Sequence, residues 1–306
     1  MKSIEEIRNY FSSIKPGNLI QLSSYDDKYP AWVFRDHGKF GVAIEVSNSF
    51  NINERFSNAR FYTENIWMNN EELNFLWLSS STEELRYEFA SICAVFLDAG
   101  IDGEDRIRIL KDPLEWWNSY KELVGNKTYL KEPYSLLGEM ISFYYIYQSD
   151  KTATWGGPKA ASIDISSINE LVEVKSTVLK YDNVIQISSQ YQLSVDRDQN
   201  LYFCRFEEAD YGYSINDLAT RLISNGYPDE KLEEALSSQG FEKNMSVRDK
   251  KYELLEMKKY KIDSSFPIID FNSVVPSEFT DHVIKITYTI DLTGINSEAI
   301  SKIFLN

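Results

Sequence analysis

The chain has 306 residues, 43% of them hydrophobic, enough to bury a sizeable core and form one or two globular bodies. Lys plus Arg number 32 against 47 Asp plus Glu, a net charge of −15, which excludes the diffuse attraction behind non-specific nucleic-acid binding, so any contact with DNA or RNA has to be local. Cys93 and Cys204 sit in apolar stretches and encode neither a disulfide framework nor a thiolate zinc site, while His37 and His282 are too few for histidine-built metal centres or Ser-His and Cys-His catalysis.

The opening MKSIEEIRNYF carries glutamates where a signal peptide needs an apolar core. It predicts a short helix, with Ser3 and Glu6 as a capping box and Ile4, Ile7, Phe11 and Ile14 on one face. Apolar, β-branched and aromatic runs follow at Asn18 to Leu22, Ala31 to Phe34 and Phe40 to Val46, the last two joined by the turn residues Asp36, His37 and Gly38, which predicts an antiparallel meander. Leu73 to Leu78 predicts another strand. Ser81 and Glu84 then cap a helix buried through Leu85, Phe89, Ile92 and Phe96 and ended by Gly100. The longest apolar run, Ala90 to Leu97, stops at Asp98 far short of a membrane span, so a soluble, cytoplasmic protein without membrane contact is expected.

After Pro113 a short helix with Trp116 and Trp117 leads to Pro133, which opens a longer helix, Tyr134 to Gln148, apolar on most of its circumference and therefore buried. A loop with Trp155, Gly156, Gly157 and Pro158 follows, then four strand-like runs: Ser162 to Ile165, Leu171 to Val178, Val184 to Ser188 and Leu201 to Phe206. Helix followed by strands implies an α/β core. From Ile215 the pattern becomes two short helices split by Gly226 and Pro228, then a β run from Val283 to Ile290 and a closing helix near Asn296 to Phe304.

Within the run from Leu171 the alternation sets Glu173 and Lys175 on one face and Val172 and Val174 on the other, and one strand earlier Asp164 points away from Ile163 and Ile165. If those strands pair, an Asp, a Glu and a Lys converge, which is what a metal-dependent phosphodiesterase needs: two carboxylates for Mg²⁺ and an ammonium to orient the attacking water. An acid-x-Lys triplet alone says little, since Asp26/Lys28, Asp229/Lys231, Asp249/Lys251 and Glu256/Lys258 also have it. Only Glu173/Lys175 combines a clean hydrophobic strand with a strand-borne acid a hairpin's length upstream. The alternative is an exposed charge pair on the solvent face of a sheet. Glu139, the only charge between Tyr134 and Gln148, tilts the choice, because a buried carboxylate requires a partner or a metal. Gln192, or alternatively Gln190, is placed to orient a water or a phosphate.

The segments Leu137-Gly138-Glu139, Trp155-Gly156-Gly157-Pro158, Ile163-Asp164-Ile165, Val172-Glu173-Val174-Lys175-Ser176-Thr177, Ile187-Ser188-Ser189 and Gln192-Leu193, with Tyr260-Lys261-Ile262, Phe266-Pro267-Ile268 and the strand Ile286 to Ile290, resemble the PD-(D/E)XK family of bacterial proteins found in restriction and phage-defence loci. The family has His-Asp-Phe around its metal aspartate, where this chain has Ile163-Asp164-Ile165. The resemblance implies an α/β (α+β) fold: a restriction-endonuclease-like core with a mixed central sheet flanked by helices over 129–210, after a β-rich module over 1–128 and before a C-terminal α+β extension over 211–306. It implies that Asp164, Glu173 and the Val174 carbonyl hold Mg²⁺ or Mn²⁺, that Glu139 reaches a metal through water, and that Lys175 positions the nucleophilic water. DNA is the implied substrate, with protein partners from the same locus, a helicase, ATPase or methyltransferase, and a homodimer as an open option.

Other patterns carry less. His37-Gly38-Lys39 matches the phospholipase-D triplet but falls in a turn, and no Walker or dinucleotide glycine pattern is present. Phe241 to Ile262 is locally basic and makes Lys250, Lys251, Lys258 and Lys259 the candidate phosphate track, the alternative being a solvated surface element. The helix pair after Ile215 is too acidic in its second helix for a DNA groove. The N-terminal module, without catalytic residues, is expected to dock a partner. The competing reading for the whole chain is a catalytically silent nuclease-fold scaffold of a defence complex, against which the joint presence of Asp164, Glu173 and Lys175 argues.

Overall fold

A computed structural model describes residues 2–36, 38–47, 51–56, 59–68, 70–121, 131–156, 163–189, 192–195, 198–270, 274–276, 282–283 and 285–305. The chain divides into two compact units, one of residues 1–128 with 242–246, the other of residues 129–241 with 247–306.

The N-terminal unit opens with helix α1 (Lys2–Ser13), which buries Ile7 and Phe11. Ser3 lies inside this helix rather than capping it. The Glu6 carboxylate instead accepts from the Ser23 and Ser24 backbone N–H groups at 2.8 and 2.9 Å and from the Ser23 hydroxyl at 2.7 Å, because three donors from one turn outweigh a single cap contact. Strands β1 (Asn18–Gln21), β2 (Trp32–Asp36), β3 (Lys39–Glu45), β4 (Asn53–Phe56), β5 (Ala59–Met68) and β6 (Glu71–Ser80) form an antiparallel sheet in the order β1-β2-β3-β6-β5-β4. Gly38, at φ 73°, turns β2 into β3; His37 lies outside the described residues. Alternation sends Val33, Val42, Ile44, Leu76 and Leu78 into the core beneath α1 and α2 (Arg86–Leu97), and Trp32, Phe34, Ala43, Phe75 and Trp77 into a second cluster on the opposite face. Strands buried on both faces read as unbroken apolar runs, which is why they are legible in sequence. Strands β4 and β5 are not, since Arg55, Arg60, Glu64 and Asn65 interrupt the alternation, yet β5 pairs with β6 all the way from Ala59↔Ser80 to Met68↔Glu71.

The predicted cap at Ser81 and Glu84 is replaced by a 3-10 turn over Glu83–Leu85 with no capping side chain at Thr82, which leaves Leu85 exposed and starts α2 at Arg86. Helix α3 (Glu104–Lys111) starts from Gly103 in the left-handed region and gives no side-chain capping signal to read. In α4 (Pro113–Tyr120) Asp112 accepts from the Glu115 N–H at 3.0 Å, and Trp117 stacks on Phe61 at 5.4 Å.

The C-terminal unit contains α5 (Pro133–Ser149), β7 (Thr154–Trp155), β8 (Ile165–Ser166), β9 (Leu171–Thr177), β10 (Val184–Ile187), β11 (Gln199–Tyr213), α6 (Ile215–Ser224), α7 (Asp229–Ser238), β12 (Tyr252–Lys261), β13 (Tyr288–Asp291) and β14 (Glu298–Ala299). Its central sheet runs β14-β12-β11-β9-β8-β7 and is mixed, β9 and β11 being parallel and the other neighbours antiparallel. The mixed α/β class expected from sequence is therefore observed. Tyr202, Cys204 and Phe206 of β11 pack with α5, α6 and α7, while Leu201 and Phe203 pack on the other side with Ile185, Ile187, Tyr260 and Ile290. Strand β12 lies beside β11, so part of the segment after residue 210 is inside the central sheet.

Several elements of this unit differ from the sequence-based expectation, among them the strand expected over Ser162 to Ile165, which is β8 at Ile165–Ser166 with Asp164 just before it. Among the described residues β10, read as a third strand of the core, pairs with β13 alone, in a separate two-stranded sheet. The strand expected from Val283 begins at Tyr288, with residue 284 outside the described residues. The helix expected near Asn296 to Phe304 is instead β14, hydrogen-bonded to Lys258 and Lys259 of β12, followed by a 3-10 turn at Lys302–Leu305. A free sheet edge satisfies that backbone, whereas a helix so short gains little from propensity alone. Gly157, Pro158 and Ser162 lie outside the described residues. Cys93 and Cys204 are free and buried. Among the described residues no helix is long and apolar enough to cross a membrane.

Candidate active site

The candidate residues gather where α5, β8, β9 and the segment after β10 meet. β9 presents Glu173 and Lys175 on one face, with Lys175 Nζ 2.9 Å from Glu173 Oε1. β8 pairs Ile165 with Val172, and Asp164 stands immediately before that pair. Asp164 is tied to β9 twice: its N–H donates to Val172 O at 3.1 Å, and its Oδ2 accepts from the Val174 N–H at 2.8 Å. Glu139 comes from α5, where it is buried together with Leu136, Met140 and Phe143. Gly138 permits the approach, because a Cβ there would collide with the Ser176 hydroxyl of β9. Gln192 follows β10, its Oε1 accepting from the Ser188 N–H at 2.7 Å and from Lys175 Nζ at 3.3 Å. Asp164, Glu173, Lys175, Glu139, Val174 and Gln192 all line one cleft of about 350 Å³.

Two residues that the sequence reading did not place among the site residues complete the cluster. Lys131 Nζ lies 2.5 Å from Glu139 Oε1 and 4.0 Å from Asp164 Oδ1, and the Trp155 indole N–H donates to Glu139 Oε2 at 3.2 Å. Neither carried a local signal: Lys131 stands eight residues before Glu139, outside the helix, and Trp155 belongs to a loop motif with no stated partner.

Burial, followed by the neighbouring Asp164 charge, raises the Glu139 carboxyl to about 7 against the opposing pull of Lys131 and Trp155. The same two causes raise Glu173 to about 8 against the pull of Lys175. Burial acts against charge on Lys131, but Glu139 and Asp164 outweigh it and hold the ammonium above the usual lysine range. The carboxylates thus repel one another in a poorly solvated place, and two ammonium groups partly balance them. Oxygen-only donors carrying surplus negative charge fit a hard divalent cation. Among the described residues, however, no group of three or more His, Cys, Asp or Glu side chains is drawn together closely enough to hold an ion; the lysine ammoniums stand against the carboxylates instead.

A family model described as "Putative PD-(D/E)XK family member" (DUF4420) matches residues 19–293. The chain belongs to this family, and with it to the restriction-endonuclease-like superfamily. No curated protein and no solved structure matches the chain.

The PD-(D/E)XK family name spells an aspartate followed by an acid-x-Lys triplet, a pattern that Asp164, just before β8, and Glu173-Val174-Lys175 of β9 match. The four lysines read as a phosphate track are not in this cleft. Lys250 pairs with Glu208 at 2.8 Å, Lys258 with Glu256 at 2.7 Å and Lys259 with Glu170 at 2.7 Å, while Lys250 and Lys251 border a different hollow beside Asp210 and Asp249. Gln190 lies outside the described residues.

Proposed function

We propose that this PD-(D/E)XK family member is a metal-dependent DNA endonuclease of a bacterial restriction or anti-phage defence system, acting in the cytoplasm with protein partners from the same locus. The observation that carries the reading is that Asp164, just before β8 and bonded to the Val174 N–H, lines one cleft with Glu173 and Lys175 of β9 and Glu139 of α5. Asp164, Glu173, the Val174 carbonyl and Glu139 would hold Mg²⁺ or Mn²⁺. When bound, the cation supplies Lewis-acid stabilisation of charge on the scissile phosphate. Lys175, steadied by Glu173 and by the Gln192 amide oxygen, positions the attacking water by hydrogen bonding. The Val174 N–H holds Asp164 in register for its role, and Trp155 fixes one oxygen of Glu139. The N-terminal unit is the proposed dock for a partner that delivers DNA, since it contributes none of these residues.

Incubating the purified chain with supercoiled plasmid and Mg²⁺ or Mn²⁺ at low salt is expected to yield nicked or linear product. E173Q and K175A are each expected to lower the rate at least about a hundredfold while the melting profile of K175A stays close to that of the unmodified chain. Full activity in K175A would remove that lysine from the mechanism. Absence of cleavage with any divalent cation, alone and with co-purified partners, would leave the silent scaffold as the reading.

A further inference from the structure

We infer that Lys131 is an internal counter-cation of the carboxylate cluster, one that a divalent metal has to displace in order to bind; this rests on the nuclease reading above. Glu139 and Asp164 carry four carboxylate oxygens, and two are already engaged. Glu139 Oε2 accepts from the Trp155 indole, and Asp164 Oδ2 accepts from the Val174 N–H. The remaining pair, Glu139 Oε1 and Asp164 Oδ1, lie 2.5 and 4.0 Å from Lys131 Nζ. The ammonium therefore stands against the very oxygens a hard cation would use.

The other lysine of the cluster is held differently. Lys175 Nζ lies 2.9 Å from Glu173 Oε1 and 3.3 Å from Gln192 Oε1, so two groups on different segments hold it. Lys131 precedes the first turn of α5 and has 28% of its side chain exposed, so rotation about its own side-chain bonds takes the ammonium out to solvent without moving a strand or helix. A monovalent ammonium and a divalent ion cannot share those oxygens at low cost, because like charges about 4 Å apart repel even in a high dielectric. Without metal, Lys131 keeps a buried Glu139 paired; with metal, the ion replaces it. Metal affinity is lowered in exchange for an assembled cleft.

The test uses the full chain and two readouts independent of cleavage. In K131M the dissociation constant for Mn²⁺, measured by calorimetry, is expected to fall on the order of tenfold, while the metal-free melting temperature drops and the rise on adding Mn²⁺ grows. K131R keeps the charge and should bind Mn²⁺ about as the unmodified chain does. If K131M does not fold, the unmodified chain still decides: acetylation of Lys131 by a limiting reagent, read by mass spectrometry, should rise several-fold on saturation with Mg²⁺, with Lys28 in the other unit as an unchanged reference. Equal or weaker Mn²⁺ binding by K131M, or Lys131 acetylation unmoved by Mg²⁺, overturns the inference. If the unmodified chain binds and cleaves with metal in that case, only the role of Lys131 falls; if neither form binds metal, the nuclease reading falls with it.

Discussion

Glu139 and Glu6 show how the same side chain is put to opposite uses by its surroundings. Glu139 is buried, and its carboxyl is raised by that burial and by the Asp164 charge; Glu6 would be raised by burial as well, but the Ser24 and Ser23 hydrogen bonds outweigh it and hold its carboxyl below the ordinary value of 4.5. A group whose folded-state value is depressed adds stability above its unfolded value and loses it as the pH falls through the folded one. E6Q should therefore be less stable than the unmodified chain at neutral pH, and the difference should shrink as the pH drops below about 4.5. Urea melts of both chains at pH 7 and pH 3.5 check this; a gap that widens in acid would contradict the assignment.

At the scale of elements, the site depends on how closely α5 lies against β9. The helix has no polar face wide enough to choose its own orientation, since Leu136, Leu137, Met140, Ile141, Phe143 and Ile146 are all buried. Its closest approach is set by Gly138 over Ser176. G138A is expected to cost about 1–3 kcal/mol of stability through overpacking, and to weaken cleavage more than its stability loss explains, because Glu139 is carried outward with the helix. Denaturant unfolding followed by circular dichroism measures the first effect and plasmid nicking the second. S176G in the same chain removes the obstructing hydroxyl and should recover most of both.

At the scale of the whole molecule, a net charge of −15 opposes any polyanion, so binding of the isolated chain to duplex DNA should be weak at physiological salt and fall further as salt rises. Lys250, Lys258 and Lys259 are paired with Glu208, Glu256 and Glu170, and a phosphate has to compete with those acids. Replacing Lys250, Lys251, Lys258 and Lys259 together should weaken DNA binding and flatten its salt dependence, but by well under the ~0.9 per residue of an unencumbered phosphate contact. Fluorescence anisotropy over a salt series gives that slope directly. A chain that binds tightly and without salt dependence would show that recognition lies elsewhere.

Much of the site was legible because the chemistry is written on short-range patterns. Alternation in Leu171 to Val178 set Glu173 and Lys175 on one face, and the solitary charge of Glu139 in an apolar helix marked it as needing a partner. Strands buried on both faces, such as β3 and β11, declared themselves by continuous apolar runs, whereas β5, with one face half-exposed, did not. What sequence alone determined is thus, for the strongly patterned elements, the kind of element and the direction of its side chains, since both follow from local periodicity. Tertiary structure alone decided which oxygens Lys131 and Trp155 engage, that β10 leaves the central sheet for β13, and that the last residues close on the edge of β12 rather than coil. These depend on where distant backbone donors and charges are left unsatisfied once the sheet has formed, and no local pattern carries that information.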